Sequence, residues 1–448
     1  MSDTKKLLGW SITVALGGFL FGFDTAVISG AEQAIQTLWG LSDGLHGFAV
    51  AIALYGTVLG AMLGAIPSDR LGRKRTLFWV GILYLSSAVG SALAPEVISF
   101  MFFRFIGGLG VGVSSVAAPM YISEIAPPQS RGKLVGLFQF NVVLGILIAY
   151  ASNYLLEGTG EQAWRLMLGI EALPALVFAV LVTRVPRSPR WLIVKKNRDE
   201  EARGILRSLG LAEPVVEQAI GEIRASILLE GAGEQAALFT KRFRVPILLA
   251  VLFAFFNQVS GINAIIYYAP RILEMAGLGD RTALLSTAGI GLVNLIFTMV
   301  GLAIIDQFGR RRLMAVGSVG LIATLGLVSY AFATGPSGWI SVLLFVYIAF
   351  FALSQGAVIW VFISEVFPNQ VRAGGQALGS FTHWLLAALI ANAFPFVANR
   401  LGGSVVFAFF CGMMILQLLF VWRLMPETKG VSLEALEKKL LEHRALRR

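Results

Sequence analysis

The chain has 448 residues, of which 56% are hydrophobic and only 14% are charged, and its formal net charge is +10. Soluble proteins average about a quarter charged residues, so this composition excludes an ordinary soluble protein and requires lipid around the apolar core. The single cysteine, Cys411, excludes an intramolecular disulfide.

Twelve apolar runs are long enough to cross a bilayer, which takes about 18 residues or more. The first six predicted spans are 8–30, 46–66, 76–95, 97–121, 134–156 and 165–184, and the second six are 245–269, 282–305, 313–333, 339–363, 373–398 and 401–423. The first run contains Asp24 and lacks a cleavage site, so it is predicted to be a span and not a signal peptide. We therefore predict an all-α membrane protein of twelve transmembrane helices in two six-helix, pseudo-symmetric bundles, with short cytoplasmic helices.

Two signatures occur once in each half of the chain. Ser-Glu with an arginine seven residues after the glutamate occurs at Glu124 and again at Glu365, 241 residues later. Asp-x-x-Gly-Arg begins at Asp69 and again at Asp306, 237 residues later. Repeats at this separation indicate duplication of one unit of roughly 200 residues, a common construction of secondary transporters.

Basic residues concentrate on one side of the predicted topology. With the amino terminus inside, 31 of the 36 Lys and Arg fall in cytoplasmic segments. This asymmetry predicts that both termini are cytoplasmic and explains the positive charge without a nucleic-acid partner. The predicted location is the cell membrane, bacterial inner or plasma.

The polar segments define the predicted domains. These are a six-helix bundle over 1–184, a cytoplasmic linker over 185–244, a second bundle over 245–425 and a tail over 426–448. In the linker, 199–209 and 215–229 have apolar residues at helical spacing and predict amphipathic helices; a solvated linker is the alternative. In the tail, Ser432 and the leucines that follow predict another cytoplasmic helix.

The interiors of the predicted spans, excluding their end residues, contain three charged residues. Asp24, Arg104 and Glu171 lie in the first, fourth and sixth spans, at similar predicted depth. An ionised group in the bilayer costs at least a few kcal/mol, so such residues turn inward, pair and usually act in function. If Asp24 pairs with Arg104, attraction and desolvation oppose each other in setting its proton affinity, which a proton-coupling site requires. The alternative is a static buried ion pair, and for Glu171 a structural role is equally open.

The seventh span carries amides instead of charges. Asn257, Gln258 and Asn263 lie close together with Ser260, and Asn294 adds an amide in the eighth span. Carboxamides donate and accept hydrogen bonds, as an uncharged polyhydroxylated ligand requires, whereas an anionic substrate would need a basic clamp. The alternative is hydrogen bonding between helices.

Further polar and aromatic residues accompany these amides. Gln139 is the matching amide in the fifth span, and Trp360 and Trp384 offer flat apolar faces to a sugar ring. His383 is a second proton site, a hydroxyl partner or a satisfied helix contact. Tyr267, at the end of the polar stretch of the seventh span, completes this candidate set.

The repeated signatures place acidic and basic residues together at the cytoplasmic ends of the spans. Such a cluster can form a network that locks the transporter on this side and breaks when it opens inward. The predicted gate residues are Asp69, Arg70, Arg73, Glu124, Arg131, Asp306, Arg310, Glu365 and Arg372. Topological charge alone would explain the basic residues but not the fixed Glu-to-Arg spacing.

Over nearly its whole length the chain resembles the sugar porter family of the major facilitator superfamily. The motifs that carry the resemblance are Asp69-Arg70-x-Gly72-Arg73-Lys74, Arg104-Phe105-x-Gly107, Pro119-x-Tyr121-x-Ser123-Glu124, Pro186-x-Ser188-Pro189-Arg190-Trp191-Leu192, Gly261-Ile262-Asn263, Asp306-x-x-Gly309-Arg310-Arg311 and Pro426-Glu427-Thr428-Lys429-Gly430. The resemblance implies sugar contacts at Phe21, Gln139, Gln258, Asn263, Asn294 and Trp360, with Asn257 and Trp384 as near matches. The family's proton-coupled monosaccharide symporters carry an Asp at the position of Asp24, partnered by an Arg at that of Arg104.

Together these observations predict a symporter that moves a neutral monosaccharide with a proton by alternating access. A sugar uniporter with a structural Asp24 and a non-transporting sugar sensor are the alternatives. No nucleophile-base pair or metal constellation occurs, so an enzyme, a metal and a cofactor are not expected. The predicted partners are the sugar, protons and the lipid bilayer, and the expected state is a monomer.

Overall fold

A computed structural model of the chain describes residues 3–127, 130–232, 237–335 and 338–430. Every regular element in these ranges is helical. The predicted tail helix after Ser432 lies outside the described residues.

The helices follow the predicted order. The N-terminal half contains α1 (Asp3–Val27), α2 (Glu32–Leu38), α3 (Asp43–Leu63), α4 (Ala65–Leu71), α5 (Arg73–Leu93), α6 (Val97–Ile125), α7 (Arg131–Leu156), α8 (Ala163–Gly169) and α9 (Ala172–Val182). The linker contains α10 (Pro189–Lys196), α11 (Asp199–Ser208) and α12 (Glu213–Ala232). The C-terminal half contains α13 (Arg244–Gln258), α14 (Ile262–Met275), α15 (Asp280–Phe308), α16 (Arg310–Thr334), α17 (Trp339–Phe351), α18 (Ala357–Val366) and α19 (Arg372–Arg423).

Eleven helical segments of the described ranges are long and apolar enough to cross a membrane. One of them, α19, has 52 residues, which corresponds to about 78 Å and is more than twice the hydrocarbon thickness of a bilayer. Gly402 interrupts α19 with φ 76° and ψ 162°, which are not helical angles, so α19 comprises two consecutive spans. The described segments therefore contain twelve spans whose ends agree with the predicted ones within a few residues, and the all-α, twelve-span prediction is confirmed.

The polar residues of the seventh span lie where its helix is interrupted. Gly261 separates α13 from α14 with φ 88°, in the left-handed region that favours glycine. A Cβ atom there would lie 2.5 Å from Cδ2 of Phe410, so the site has no room for a side chain. The Tyr347 hydroxyl donates to the Ser260 carbonyl at 3.0 Å and satisfies a backbone group that the break leaves without a helical partner. The break thus turns the amides of α13 and α14 towards one another.

The helices pack in two compact units. The first comprises Met1–Asp24, Gly56–Ile146 and Leu168–Glu234, and the second comprises Thr25–Tyr55, Leu147–Met167 and Gln235–Arg448. The second unit thus holds the C-terminal half together with two segments of the N-terminal half. This division does not follow the predicted boundaries at 184 and 245, which stay a prediction about the duplicated halves.

Within the first unit, the linker forms a small helical core of its own. Ser188 caps α10 by accepting a hydrogen bond from the backbone of Trp191 at 3.1 Å. The core consists of Trp191, Leu192, Ile193, Ala202, Leu206, Val216 and Ile220. The two predicted amphipathic helices therefore form α11 and α12, and they pack against α10 through their apolar faces.

Ion pairs join the outer faces of α11 and α12. Arg203 contacts Glu217 at 2.7 Å and Arg207 contacts Glu213 at 2.5 Å. Hydrogen bonds from these arginines hold the pKa of Glu217 and of Glu213 below the usual value. Because the pairs are exposed, the apolar core and not the charges holds the linker helices together.

Candidate functional site

Three ionisable side chains meet inside the first unit, where they are shielded from solvent. Arg104 donates from Nη1 to Oδ1 of Asp24 at 2.5 Å and from Nη2 to the Asp24 backbone carbonyl at 3.1 Å. Asp24, Arg104 and Glu171 are each only 1% exposed. Asp24 on α1 and Arg104 on α6, which were predicted to lie at similar depth, therefore form an ion pair that joins these two helices.

Glu171 lies beside this pair. Its carboxyl is close enough to Asp24 and Arg104 to interact electrostatically with both. Its Oε1 has no hydrogen-bond partner among the described residues. Two carboxyls with one arginine form a cluster whose charge is balanced only when one proton is bound.

A glycine on α6 makes room for this cluster. A Cβ atom at Gly107 would lie 2.3 Å from Oγ of Ser87 and 3.4 Å from Oδ1 of Asp24. Any larger residue would therefore displace α5 from α6 next to the carboxylate. The Arg104-Phe105-x-Gly107 sequence supplies both the guanidinium and the space beside it.

The second unit contains a buried cluster of amides around Gln258. Its Oε1 accepts from Nδ2 of Asn263 at 2.6 Å, and its Nε2 donates to Oδ1 of Asn257 at 3.0 Å. The same Nε2 lies 3.2 Å from the ring nitrogens of His383, so an unprotonated ring nitrogen can accept from it. Nδ2 of Asn257 is buried and has no partner among the described residues. The cluster therefore has an unused donor.

Two tryptophans border the amide cluster. The His383 ring lies 4.9 Å from that of Trp360 and 4.7 Å, edge to face, from that of Trp384. Trp360 is 38% exposed although it borders buried groups, and Trp384 is 6% exposed. An exposed aromatic face beside buried amides suits a ligand with one apolar face and several hydroxyls.

The other predicted contacts lie elsewhere on the helices. Asn294 accepts a hydrogen bond from Thr298 on the same helix at 3.3 Å, and Tyr267 is buried in α14. Phe21 and Gln139 belong to the first unit, where the Phe21 ring packs 6.5 Å from that of Phe138. The structure thus groups Asn257, Gln258, Asn263, Trp360, His383 and Trp384, and their binding of substrate stays a prediction.

The first copy of the repeated signature forms an ionic network in the first unit. Arg73 contacts Glu124 at 2.9 Å and Asp69 at 3.1 Å, and Trp191 donates from its indole nitrogen to the Asp69 carbonyl at 2.9 Å. Arg131, expected near Glu124 from their spacing, forms no ion pair within the described part of the chain. Arg70 is exposed.

The second copy repeats this geometry in the second unit. Arg310 contacts Glu365 at 2.8 Å and Asp306 at 2.9 Å, and Thr428 donates to Glu365 at 2.6 Å. Nε and Nη2 of Arg372 are buried without a hydrogen-bond partner in the described ranges. In both copies the glutamate thus pairs with the arginine of the Asp-x-x-Gly-Arg signature and not with the one seven residues later.

Two contacts that stabilise the structure, a helix cap and an ion pair, were not predicted from the sequence. Glu427 accepts hydrogen bonds from the backbone nitrogens of Arg310 and Arg311 at 2.9 and 3.1 Å, and so caps α16. Glu32 and Arg271 form a buried ion pair at 2.8 Å. Glu427 stood in a recognised motif, whereas Glu32 and Arg271 lie just beyond predicted spans and have no local signature.

Comparison with known proteins identifies the chain. A family model described as "Sugar (and other) transporter" matches residues 10–440. The D-xylose-proton symporter of Escherichia coli K12 is 36% identical over 97% of this chain and 96% of its own length. The arabinose-proton symporter of Bacillus subtilis is also 36% identical, over 96% of this chain and 94% of its own length.

A solved structure agrees with these relatives. The inward-open structure of the xylose transporter XylE from E. coli matches with a TM-score of 0.86 and 35% identity, and the match covers 97% of this chain and 99% of that one. The agreement in family model, sequence and fold extends over nearly the entire chain, which is therefore a membrane transporter, not an enzyme, and belongs to the sugar transporter family.

Proposed function

We propose that this transporter moves a neutral monosaccharide, a hexose or a pentose, together with a proton across the cell membrane. It works by alternating access, and both termini lie in the cytoplasm. The observation that carries the proposal is the buried contact of Arg104 with Asp24, beside the carboxyl of Glu171.

Asp24 is the proton site in this proposal. With one proton bound, the two carboxyls and Arg104 are balanced in charge, and without it the cluster carries a net negative charge in a poorly solvated site. Protonation of the cluster therefore depends on whether water reaches it. The single proton is shared between Asp24 and Glu171, because two carboxyls this close bind and release protons as a pair.

The amide cluster around Gln258 is the sugar site. It consists of amides and one histidine without a carboxylate, lysine or arginine among the grouped residues, and the unused Nδ2 donor of Asn257 suits a hydroxyl oxygen. Relatives described as xylose-, arabinose- and galactose-proton symporters favour a monosaccharide as the cargo. Phe21, Gln139, Tyr267 and Asn294 are further proposed contacts.

A uniporter with a structural Asp24 is the second candidate, because a buried ion pair can serve packing alone. The two candidates differ in uphill transport. A proton moving down 100 mV releases about 2.3 kcal/mol, enough for roughly fifty-fold accumulation of a neutral solute.

The test is uptake of hexoses and pentoses into proteoliposomes with and without a proton gradient. We expect gradient-dependent accumulation, lost in Asp24→Asn to about the external concentration, with sugar binding and sugar exchange retained. Asp280→Asn, an exposed aspartate at the start of α15, is the matched control and should accumulate sugar like the parent protein. Accumulation that ignores the gradient would instead favour the uniporter, and equal loss of binding and transport in Asp24→Asn would mean that Asp24 is structural.

A further inference from the structure

A second buried ionic cluster lies in the second unit, at the membrane face opposite the termini. It joins Glu32 at the start of α2 to Arg271 in α14, 239 residues later. Nε and Nη2 of Arg271 donate to Oε1 and Oε2 of Glu32 at 2.9 and 2.8 Å, and Nη2 also donates to Gln36 at 2.5 Å. The Glu32 side chain is completely buried and that of Arg271 is 11% exposed.

His46 in α3 completes this cluster. Its Nε2 lies 2.8 Å from Oε2 of Glu32 and 3.1 Å from the Glu32 carbonyl. Both neighbours are acceptors, so Nε2 carries a proton and donates to Glu32. Its other ring nitrogen is buried with no partner in the described ranges, and its ring lies 6.2 Å from that of Tyr268 in α14.

Weaker contacts surround the cluster and join the same elements. Gln33 donates to Glu274 at 2.8 Å, so α2 and α14 are linked a second time. Tyr150, near the end of α7, donates to the Ile266 carbonyl of α14 at 2.8 Å. Parts of α2, α3 and α7, all from the N-terminal half of the chain, therefore contact the same fourteen-residue helix of the C-terminal half.

The backbone of the contacted helix departs from helical geometry at two points. Gly261 precedes it in a left-handed conformation, and Tyr268 departs from helical angles with φ −126° and ψ 21°, just before Pro270. Such interruptions allow part of a helix to change direction without unfolding the remainder. Arg271 lies beyond the second interruption, on the segment that can turn away from Glu32.

We propose that Glu32, Arg271 and His46 form a latch that closes the transporter at the face opposite its termini. Opening of that face requires Arg271 to leave Glu32. This inference rests on the proposed alternating-access transport. It adds a charged gate at the face opposite the termini, whereas the repeated signatures form the predicted gate at the other face. The bidentate geometry makes the latch specific, because both oxygens of one carboxylate are matched to one guanidinium.

The latch is testable by distance measurement without sugar or a proton gradient. Cys411→Ser removes the only cysteine of the chain and provides the background. Spin labels at Leu38→Cys and Asp280→Cys, on exposed positions of α2 and α15 in the second unit, report the separation of the two sides in lipid nanodiscs. The measured quantity is the ratio of molecules with a long distance between the two spin labels to molecules with a short one.

We expect Glu32→Gln/Arg271→Gln, which removes both charges together, to raise this ratio about tenfold, because charge-assisted bidentate hydrogen bonds are stronger than those between neutral amides. The exchange Glu32→Arg/Arg271→Glu should restore much of the short-distance population, because the charges again attract. His46→Phe keeps an aromatic ring beside Tyr268 but removes the donor, and a rise of about threefold is expected. Glu96→Gln is the control, since Glu96 is an exposed carboxylate before α6 and does not belong to this cluster.

An unchanged ratio in the neutral double variant would overturn the latch, provided that the variant is monodisperse and binds sugar like the parent protein. Normal proton-driven uptake with an unchanged ratio would refute the latch alone. If the neutral double variant shifts the ratio but the parent protein shows no proton-driven uptake, the proposed symport is refuted and the latch stands.

Discussion

At the residue scale, the surroundings of a side chain distinguish the roles of two residues of the same type. Asp24 and Asp69 are both aspartates on helices, but Asp24 is buried against Arg104, whereas the Asp69 side chain is 47% exposed beside Arg73. Losing solvent makes the charged form of Asp24 dependent on its partner, while solvent stabilises that of Asp69. Only the buried aspartate combines isolation from water with a second carboxyl, and this makes it the better candidate for carrying a proton.

His383 is the residue on which we expect sugar preference to depend. It contacts Gln258 and lies between Trp360 and Trp384. His383→Gln keeps an acceptor for Gln258 but removes the ring, so the hydroxyl pattern offered to the sugar changes. We expect relative transport of pentoses and hexoses to shift by about tenfold.

The measurement is competition between labelled sugars in proteoliposomes. Proton coupling should persist in His383→Gln, because Asp24 is untouched. In Asp24→Asn, sugar exchange should keep the preference order of the parent protein. If His383→Gln keeps the parent preference, His383 serves helix packing and not recognition.

These residue-scale features were only partly predictable from sequence. The intramembrane positions of Asp24 and Arg104 identified them as a pair, because charge in lipid is rare and needs a partner. The ion-pair partner of Glu124 could not be predicted in this way. The sequence placed Arg73 and Arg131 in one predicted network with Glu124, and Arg73 is the one that contacts it because α5 and α6 pack side by side. Sequence spacing reports neighbours along one helix and cannot decide between arginines on different helices.

At the element scale, the interruption of the seventh span by Gly261 organises the amide cluster. Continuous helix would place Gln258 and Asn263 five positions apart, about 140° around the axis, and direct them to different faces. The break instead allows Asn263 to donate to Gln258 at 2.6 Å. A single glycine therefore determines whether these amides form one site.

Gly261→Ala tests this role. The substitution adds a Cβ atom at φ 88° and 2.5 Å from Cδ2 of Phe410, so both backbone strain and a clash oppose it. We expect destabilisation of about 1–3 kcal/mol together with weaker sugar binding. Thermal unfolding in detergent and sugar titration measure the two effects.

Gly412→Ala is the matched control, because no atom lies within 4 Å of a Cβ at that position and its φ is not positive. It should leave the unfolding temperature and the affinity nearly unchanged. Equal behaviour of the two variants would contradict the assigned role of the break.

At the scale of the whole molecule, the two halves share the ionic networks of the repeated signatures but differ in their candidate functional sites. Gly72 and Gly309 both have φ 86°, and each precedes an arginine that pairs with a glutamate, Glu124 or Glu365. The cluster of Asp24, Arg104 and Glu171, by contrast, lies in the first unit, and the amides around Gln258 lie in the second. The repeated parts therefore belong to the common framework of the family, and the parts that differ are the candidates for coupling and recognition.

The asymmetry of basic residues predicts the orientation of the whole chain. We expect a green fluorescent protein fused to the carboxyl terminus to fluoresce, because 31 of the 36 Lys and Arg lie on the side of the termini. Alkaline phosphatase inserted between Gly158 and Gly160, in the exposed connection of α7 and α8, should be active in the periplasm of a bacterial host. Activity of the phosphatase at the carboxyl terminus instead would reverse the assigned orientation.

The sequence by itself determined the spans, their number and the presence of intramembrane charge, because hydropathy and charge act on each segment independently of its neighbours. It also determined the family, through motifs that are local. Only the tertiary structure decided which charges meet. Glu32 and Arg271 are far apart along the chain and look like ordinary loop charges in the sequence, but they form an ion pair with little exposure to solvent once α2 and α14 pack. Contacts of this kind depend on the positions of several helices at once, which no single segment specifies.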